Sequence, residues 1–406
     1  MYRTLFLLLA NLLGGTYAYA QEPAGPLTLA AAQALAVGNN PTLSAARHEL
    51  AAQGGALQQA QALPNPELQT LVEDTRRATR STTVQLNQLI ELGGKRGARS
   101  LVAQRGQEVA EAALAMQQAD TRAAVTSAFI DVLAAQESLR LADSAQALAA
   151  RASDITARRV TAGKASPVEE TRARVAEASV RLELNLARGA LASARKRLAA
   201  LWGNPAPRFS VAAGTLDALP PLPPGSDLAT RLQQAPALQQ ARSTLAQRQA
   251  MLEVEQRRAT PDITVSLGMK RSEELGRNQA IIGLSVPLPL FDRNAGNQLE
   301  ALRRSDKASD ELAATTLDLQ TALADARERL NTARLDVESL RRDILPGAQS
   351  AYDAASKGFE FGKFAFLDVL DAQRTLLQAK NQTLRALTEA QQAAAEIERL
   401  LGAPAP

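Results

Sequence analysis

Two aspartates, Asp368 and Asp371, stand three residues apart at the head of an Ala/Leu-rich stretch that follows the pair Gly362 and Lys363. In a helix, that spacing stacks both carboxylates on one face. An acid early in a helix is helped by the positive end of the dipole, by about 0.3–1 kcal/mol. That accounts for one acid and does not require a second beside it. A cousin of this stretch occurs earlier: GKASPVEETRARVAEAS (163–179) has Gly163 and Lys164, then Glu169 and Arg172 at the positions 199 residues before the two aspartates.

Little other chemistry is available. The chain has no cysteine, which excludes disulfides, thiolate nucleophiles and thiolate metal sites. Its one histidine, His48, has no partner at a metal-ligand spacing and reads as a solvated side chain. No catalytic triad, phosphate loop or HExxH is present, so an enzyme is not expected. No cofactor and no tight metal site are expected either. The basic run at 95–99 (KRGAR) is short and directly follows a strand-like segment, which suits a junction better than nucleic acid. The net charge of +4 is mild, and basic residues alternate with acids, as on a solvated helix face. Trp202 reads as a packing anchor.

The first residues set the compartment. MYRTLFLLLANLLGGTYAYA combines Arg3, a short apolar run and an A-x-A site at 18–20, which predicts a secretory signal peptide over 1–20 cut before Gln21. No later stretch holds the ~18 consecutive apolar residues of a transmembrane helix.

The elements that position the acids come in duplicate. PTLSAARHEL (41–50) matches PALQQARSTL (236–245), LIELGGKRGAR (89–99) falls on PLPLFDRNAGN (287–297), and Leu201, Trp202 and Gly203 fall on Leu400, Leu401 and Gly402. The organisation expected is a first repeat over 21–205, a Pro-rich linker over 206–226 and a second repeat over 227–403. Each repeat reads as a helix (28–62; 227–259), two strands (67–73 and 82–92; 262–270 and 279–290), a very long helix (97–158; 297–358), a Gly-Lys turn and a final helix. The strands are inferred from alternation, as with Val84, Leu86 and Ile90 against Thr83, Gln85 and Asn87. Leu312, Leu319, Ala326, Ala333 and Leu340 recur every seven residues beside Leu323, Leu330, Val337 and Ile344, a coiled-coil pattern. Roughly 60 helical residues reach about 90 Å, more than an ordinary domain needs. Pro346 is expected to kink the long helix or weaken its last turns.

The strands have roughly the length that crosses a bilayer as a barrel, with polar and apolar residues alternating. Four strands cannot close such a barrel, and open edges are not tolerated in hydrocarbon. A spanning sheet would therefore need several protomers. Two soluble hairpins packed on helices are the alternative that alternation alone leaves open.

LPNPEL (63–68), ELGGKRGAR (91–99), GKASPVEETRARV (163–175), RLAALWG (197–203), LSVPLPLFDRN (284–294) and FGKFAFLDVLDAQRTL (361–376) together resemble the TolC-type outer-membrane efflux proteins, and within them the outer-membrane factors of Czc-type divalent-cation systems. The resemblance covers residues 27–402. It implies a mainly α protein with a transmembrane β-barrel sector: a homotrimer with a twelve-stranded barrel in outer-membrane lipid and a periplasmic α-helical coiled-coil barrel. It implies a passive efflux duct in a Gram-negative outer membrane, working with a periplasmic adaptor (membrane-fusion) protein and, through it, an inner-membrane RND pump. The turns at Gly163, Lys164, Gly362 and Lys363 would be the adaptor-contacting tips. Asp368 and Asp371 would ring the pore as a gate, with Glu169 and Arg172 as gate partners. One departure is the near absence of aromatics from the strands, where the only one is Phe291. Cobalt, zinc and cadmium are the implied cargo, with drugs or exported protein as alternatives; a periplasmic coiled-coil adaptor is the other reading, against which the doubled strand pairs argue.

Overall fold

The computed structural model describes residues 22–402. The predicted signal peptide and residue 403 lie outside the described residues.

Each copy opens with two helices where one was expected. In the first, α1 (Leu29–Asn39) is capped by the Thr28 hydroxyl, and α2 (Pro41–Gln61) begins at once. The break falls at Asn40. Its side chain accepts the Leu43 N–H at 3.0 Å, while Pro41 forces the residue before it out of helical geometry. The second copy repeats the break, with α5 (Gly225–Leu232) and then α6 (Pro236–Arg258).

The long helices follow. In the first copy α3 runs over Lys95–Thr161 and α4 over Pro167–Ala200; at 67 residues, α3 is about 100 Å long. In the second copy the long helix is not simply kinked near its end. α7 (Ala295–Ser339) passes through a π-helical turn (Leu340–Ile344) into α8 (Leu345–Glu360), and α9 (Phe366–Leu401) returns. The wide turn ends beside Pro346, which lacks the N–H and clashes with a regular helix, so the helix continues beyond the proline. The turn also changes the heptad phase. Leu323, Leu330 and Val337 are buried, while Ile344, next in the series, is exposed and Ala348 is buried instead.

Two short strands brace the middle of the rods: β1 (Pro26–Leu27) pairs in parallel with β4 (Val211–Ala212), inside the segment read as a linker. Gln136 of α3 holds Ala212 through both its N–H and its C=O, at 2.7 and 3.1 Å. The Glu22 carboxylate accepts from Trp202 Nε1, Asn204 Nδ2 and the N–H groups of Arg208 and Phe209. Beneath this belt lies the largest apolar core, with Leu27, Val125, Phe129, Val132, Leu198 and Trp202. A second core joins Leu228 and Leu238 to Leu323, Leu330, Ile397 and Leu400.

The remaining strands form one antiparallel sheet in the order β2 (Glu67–Glu73), β3 (Ser81–Ile90), β5 (Ile263–Ser272), β6 (Arg277–Ser285). β6 stops short of the expected residue 290, because Pro287 and Pro289 cannot donate to a ladder. Phe291 therefore lies beyond the strand and is wholly exposed. The register sorts the faces. Leu68, Leu86, Leu267 and Ile282 stand in one row, with Thr70, Val84, Met269 and Ala280 in the next on the same face. Leu68 is 72% exposed and Ile282 82%. The opposite face carries Gln69, Gln85, Asn87 and Ser266, hydrogen-bonded to one another, and the Glu73–Lys270 ion pair. Among the described residues β2 and β6 are unpaired on their outer sides. At the helix junctions Lys95 binds Asp262 at 2.8 Å and Arg99 binds Glu91, so two cations of the basic run at 95–99 are neutralised there.

Candidate functional site at the helical tips

Both long hairpins end in the same turn. Gly163 and Gly362 have φ of +67° and +74°, the left-handed geometry that glycine adopts cheaply. Gly163 N–H donates to Val160 O and Lys164 N–H to Arg159 O; Gly362 and Lys363 donate likewise to Phe359 O and Gly358 O. These are paired Schellman closures, so each Gly-Lys pair ends one helix and leaves its lysine exposed.

The returning helices start differently. In the first copy Ser166 caps α4 by accepting the Val168 N–H, and Pro167 takes the first helical position. In the second copy Ala365 stands at the cap and has no acceptor. Asp368, three residues on, reaches back and accepts the Ala365 N–H at 2.9 Å. Asp368 therefore caps α9, while Asp371, one turn later and exposed, makes no side-chain hydrogen bond or ion pair among the described residues. Glu169 is half-buried and Arg172 exposed, and within one protomer neither is joined to either aspartate by an ion pair or hydrogen bond.

The second tip is aromatic where the first is small. Phe359 and Phe366 pack with centroids 5.7 Å apart, on a core shared with Ala173 of α4 and Val369. The Arg159 guanidinium, from the end of α3, lies 4.5 Å above the Phe359 ring and donates to Phe359 O at 2.8 Å, tying the two hairpins together. Gly358, at the position matching Arg159, makes room for Phe364: a Cβ there would lie 2.0 Å from Phe364 Cδ2. Phe361, Phe364 and Leu367 nevertheless expose apolar surface at the tip. Sequence reading singled out the glycines, lysines and acids and missed these rings. The substitution of Arg159 by Gly358 between the copies was the available signal.

Elsewhere, His48 is exposed and Trp202 is buried beside Glu22. Among the described residues no three His, Cys, Asp or Glu gather as a metal site, and no helix is long and apolar enough to cross a membrane.

The model of the family described as outer membrane efflux protein matches residues 33–204 and again 228–403. The chain belongs to the outer membrane efflux proteins. It is 50% identical over 384 residues to the cobalt-zinc-cadmium resistance protein CzcC of Cupriavidus metallidurans, covering 95% of this chain and 92% of that one. It is 27% identical to the nickel-cobalt-cadmium resistance protein NccC of Alcaligenes xylosoxydans xylosoxydans, over 83% and 73% of the two chains. Its fold is that of the CusC channel, with a TM-score of 0.80 over 93% of this chain and 92% of that one at 18% identity. The outer membrane protein VceC of Vibrio cholerae gives 0.79 over 92% and 96% at 19% identity. An outer membrane efflux protein is a transporter component, and the sheet with one apolar and one polar face is its barrel sector.

Proposed function

We propose that this protein is the outer-membrane exit duct of a tripartite pump for divalent heavy-metal cations such as cobalt, zinc and cadmium. The observation that carries this reading is the 50% identity, across nearly the whole of both chains, to a cobalt-zinc-cadmium resistance protein. The duct is a homotrimer, because a four-stranded sheet with an exposed apolar face and two open edges needs neighbours to close in lipid. The lysine turns and the exposed rings of Phe361, Phe364 and Leu367 meet the periplasmic adaptor, which links the duct to an inner-membrane RND pump. An exposed apolar tip rimmed by charge favours a partner. Asp368 and Asp371, three copies of each around the axis, form a cation-attracting gate, with Arg172 and Glu169 of adjoining helices as its partners. The cargo is passed and not held: the chain has no cysteine and one exposed histidine.

Deleting the gene from its host tests the cargo. Tolerance to cobalt, zinc and cadmium should fall and return on complementation, while tolerance to drugs and dyes stays level. Unchanged metal tolerance with lost drug tolerance would assign the duct to a drug pump.

A further inference from the structure

All four strands of the sheet join their helices at one end, so the β2–β3 and β5–β6 connections share the other end. That far rim is rich in arginine: Arg76, Arg77 and Arg80 in one connection, Arg271 and Arg277 at the other. Its acids are partly spent within the rim. Glu73 takes Lys270 and the Ser81 hydroxyl on the polar face. Asp74, at φ +61°, folds onto its own turn, accepting the Arg76 N–H at 2.9 Å and the Thr79 hydroxyl. Arg76, Arg77 and Arg80 have no ion pair among the described residues, and Arg271 has a long one, 3.6 Å to Glu273.

Two of these arginines stand on the apolar face. Arg271 lies opposite Thr82, in the row directly beyond Val84 and Met269. Arg80 O accepts the Glu273 N–H at 3.0 Å, which extends the β3–β5 ladder by one pair. By alternation Arg80 then shares the face of Thr82, Val84 and Leu86. The apolar belt thus ends in two exposed guanidiniums, Arg80 and Arg271, with Glu273 opposite Arg80 and its carboxylate 3.6 Å from Arg271; on the barrel reading this face is the outer wall and not the lumen. Cationic side chains bordering a lipid belt reach for headgroup charge, and guanidinium binds phosphate in a bidentate fork.

We propose that Arg80 and Arg271, supported by Arg76 and Arg77 in the turn, bind the phosphate groups of the phosphorylated glycolipid that forms the outer leaflet, one such site on each protomer. The inference rests on the barrel reading above, since it needs the helices to lie on the periplasmic side. A binding site of this kind seats the barrel at a fixed depth and cements it in the leaflet.

The test uses the full mature protein in vesicles of neutral phospholipid doped with bisphosphorylated lipid A or with its enzymatically dephosphorylated form. Bound glycolipid is counted after detergent extraction of the intact oligomer. Wild type should retain the bisphosphorylated form preferentially, with the preference weakening in salt. Arg80→Gln with Arg271→Gln should lower that affinity about thirtyfold, roughly fivefold for each arginine. Arg80→Lys with Arg271→Lys should keep most of it, and Arg277→Gln, opposite Ser272 on the polar face, should change nothing. Equal retention of both lipid forms by wild type, an undiminished preference in the double Gln variant, or full competition by millimolar inorganic phosphate would each overturn the proposal while leaving the barrel in place. Failure to insert into neutral vesicles at all would overturn the barrel reading and this inference with it.

Discussion

Asp368 and Asp371 share a helical face, but only one of them has a structural task. Asp368 closes the first turn of α9 on the Ala365 N–H, where the first copy uses Ser166 on its own helix. Among the described residues Asp371 has no partner side chain. Substituting each alone therefore separates capping from charge. Asp368→Ala should cost the tip about 1 kcal/mol, the usual loss of an N-terminal cap, and hydrogen exchange at residues 365–369 should quicken. Asp371→Ala should leave that exchange unchanged. Both should lower cation selectivity in planar bilayers under a salt gradient, because a ring of carboxylates acts through charge and not through the cap. If Asp371→Ala preserves both selectivity and block by multivalent cations in a channel that still assembles, the aspartates are no gate. The paired acids were visible in the sequence because helical spacing is a local property. The cap at Ala365 was half visible, as an acid near a helix start. The link from Arg159 to Phe359 was not, since its partners are 200 residues apart and no periodicity joins them.

Among the elements, the strands and long helices were legible for the same physical reason. Period-2 alternation and seven-residue spacing both follow from burying one face, and β2 occurs at residues 67–73 as expected. What failed was punctuation. The breaks at Asn40 and before Pro236 follow from capping and proline sterics, yet a continuous apolar pattern concealed them. The π-turn before Pro346 was half legible: the proline marked a disturbance in the long helix, but not that one wide turn would absorb it and let the helix continue. β1 and β4 are two residues each, too short for a pattern, and their pairing spans the whole first copy. Glycine substitutions expose how context overrides helix propensity. A Cβ at Gly189, inside α4, would meet nothing within 4 Å, so Gly189→Ala should stabilise by about 0.5–1 kcal/mol. Gly358→Ala offers the same propensity gain but drives a methyl into the Phe364 ring. It should destabilise the second tip, and thermal melts with near-UV dichroism of the phenylalanines should show opposite signs for the two variants. A stabilised Gly358→Ala would mean that Phe364 is not seated on α8.

At the scale of the whole molecule, the decisive feature is a sheet that cannot stay as it is. Its apolar face is exposed along all four strands, and β2 and β6 each present an unpaired row of backbone N–H and C=O groups. In water such edges invite aggregation, and in hydrocarbon each unsatisfied group costs several kcal/mol. In the proposed trimer, the β2 edge of the next copy pairs with β6 and runs antiparallel to it, as neighbouring strands do within the sheet. Rotational repetition of that contact would close a ring, and the three copies of the proposed trimer would supply twelve strands, above the minimum of about eight for a membrane barrel. The absence of cysteine makes this contact directly testable. Cysteine pairs, one scanned along residues 67–73 and one along 277–285, should oxidise in native membranes only where the register brings them together. The productive pairs should recur at intervals of two on each strand, because successive side chains alternate between lumen and lipid. Gel mobility should then show dimers and trimers and stop there, and the detergent-solubilised oligomer should have three times the protomer mass by light scattering. A ladder running past three, or a stable monomer without detergent, would remove the closed ring. The duct reading would go with it, since an open four-stranded sheet has no lumen through which a cation could leave the cell.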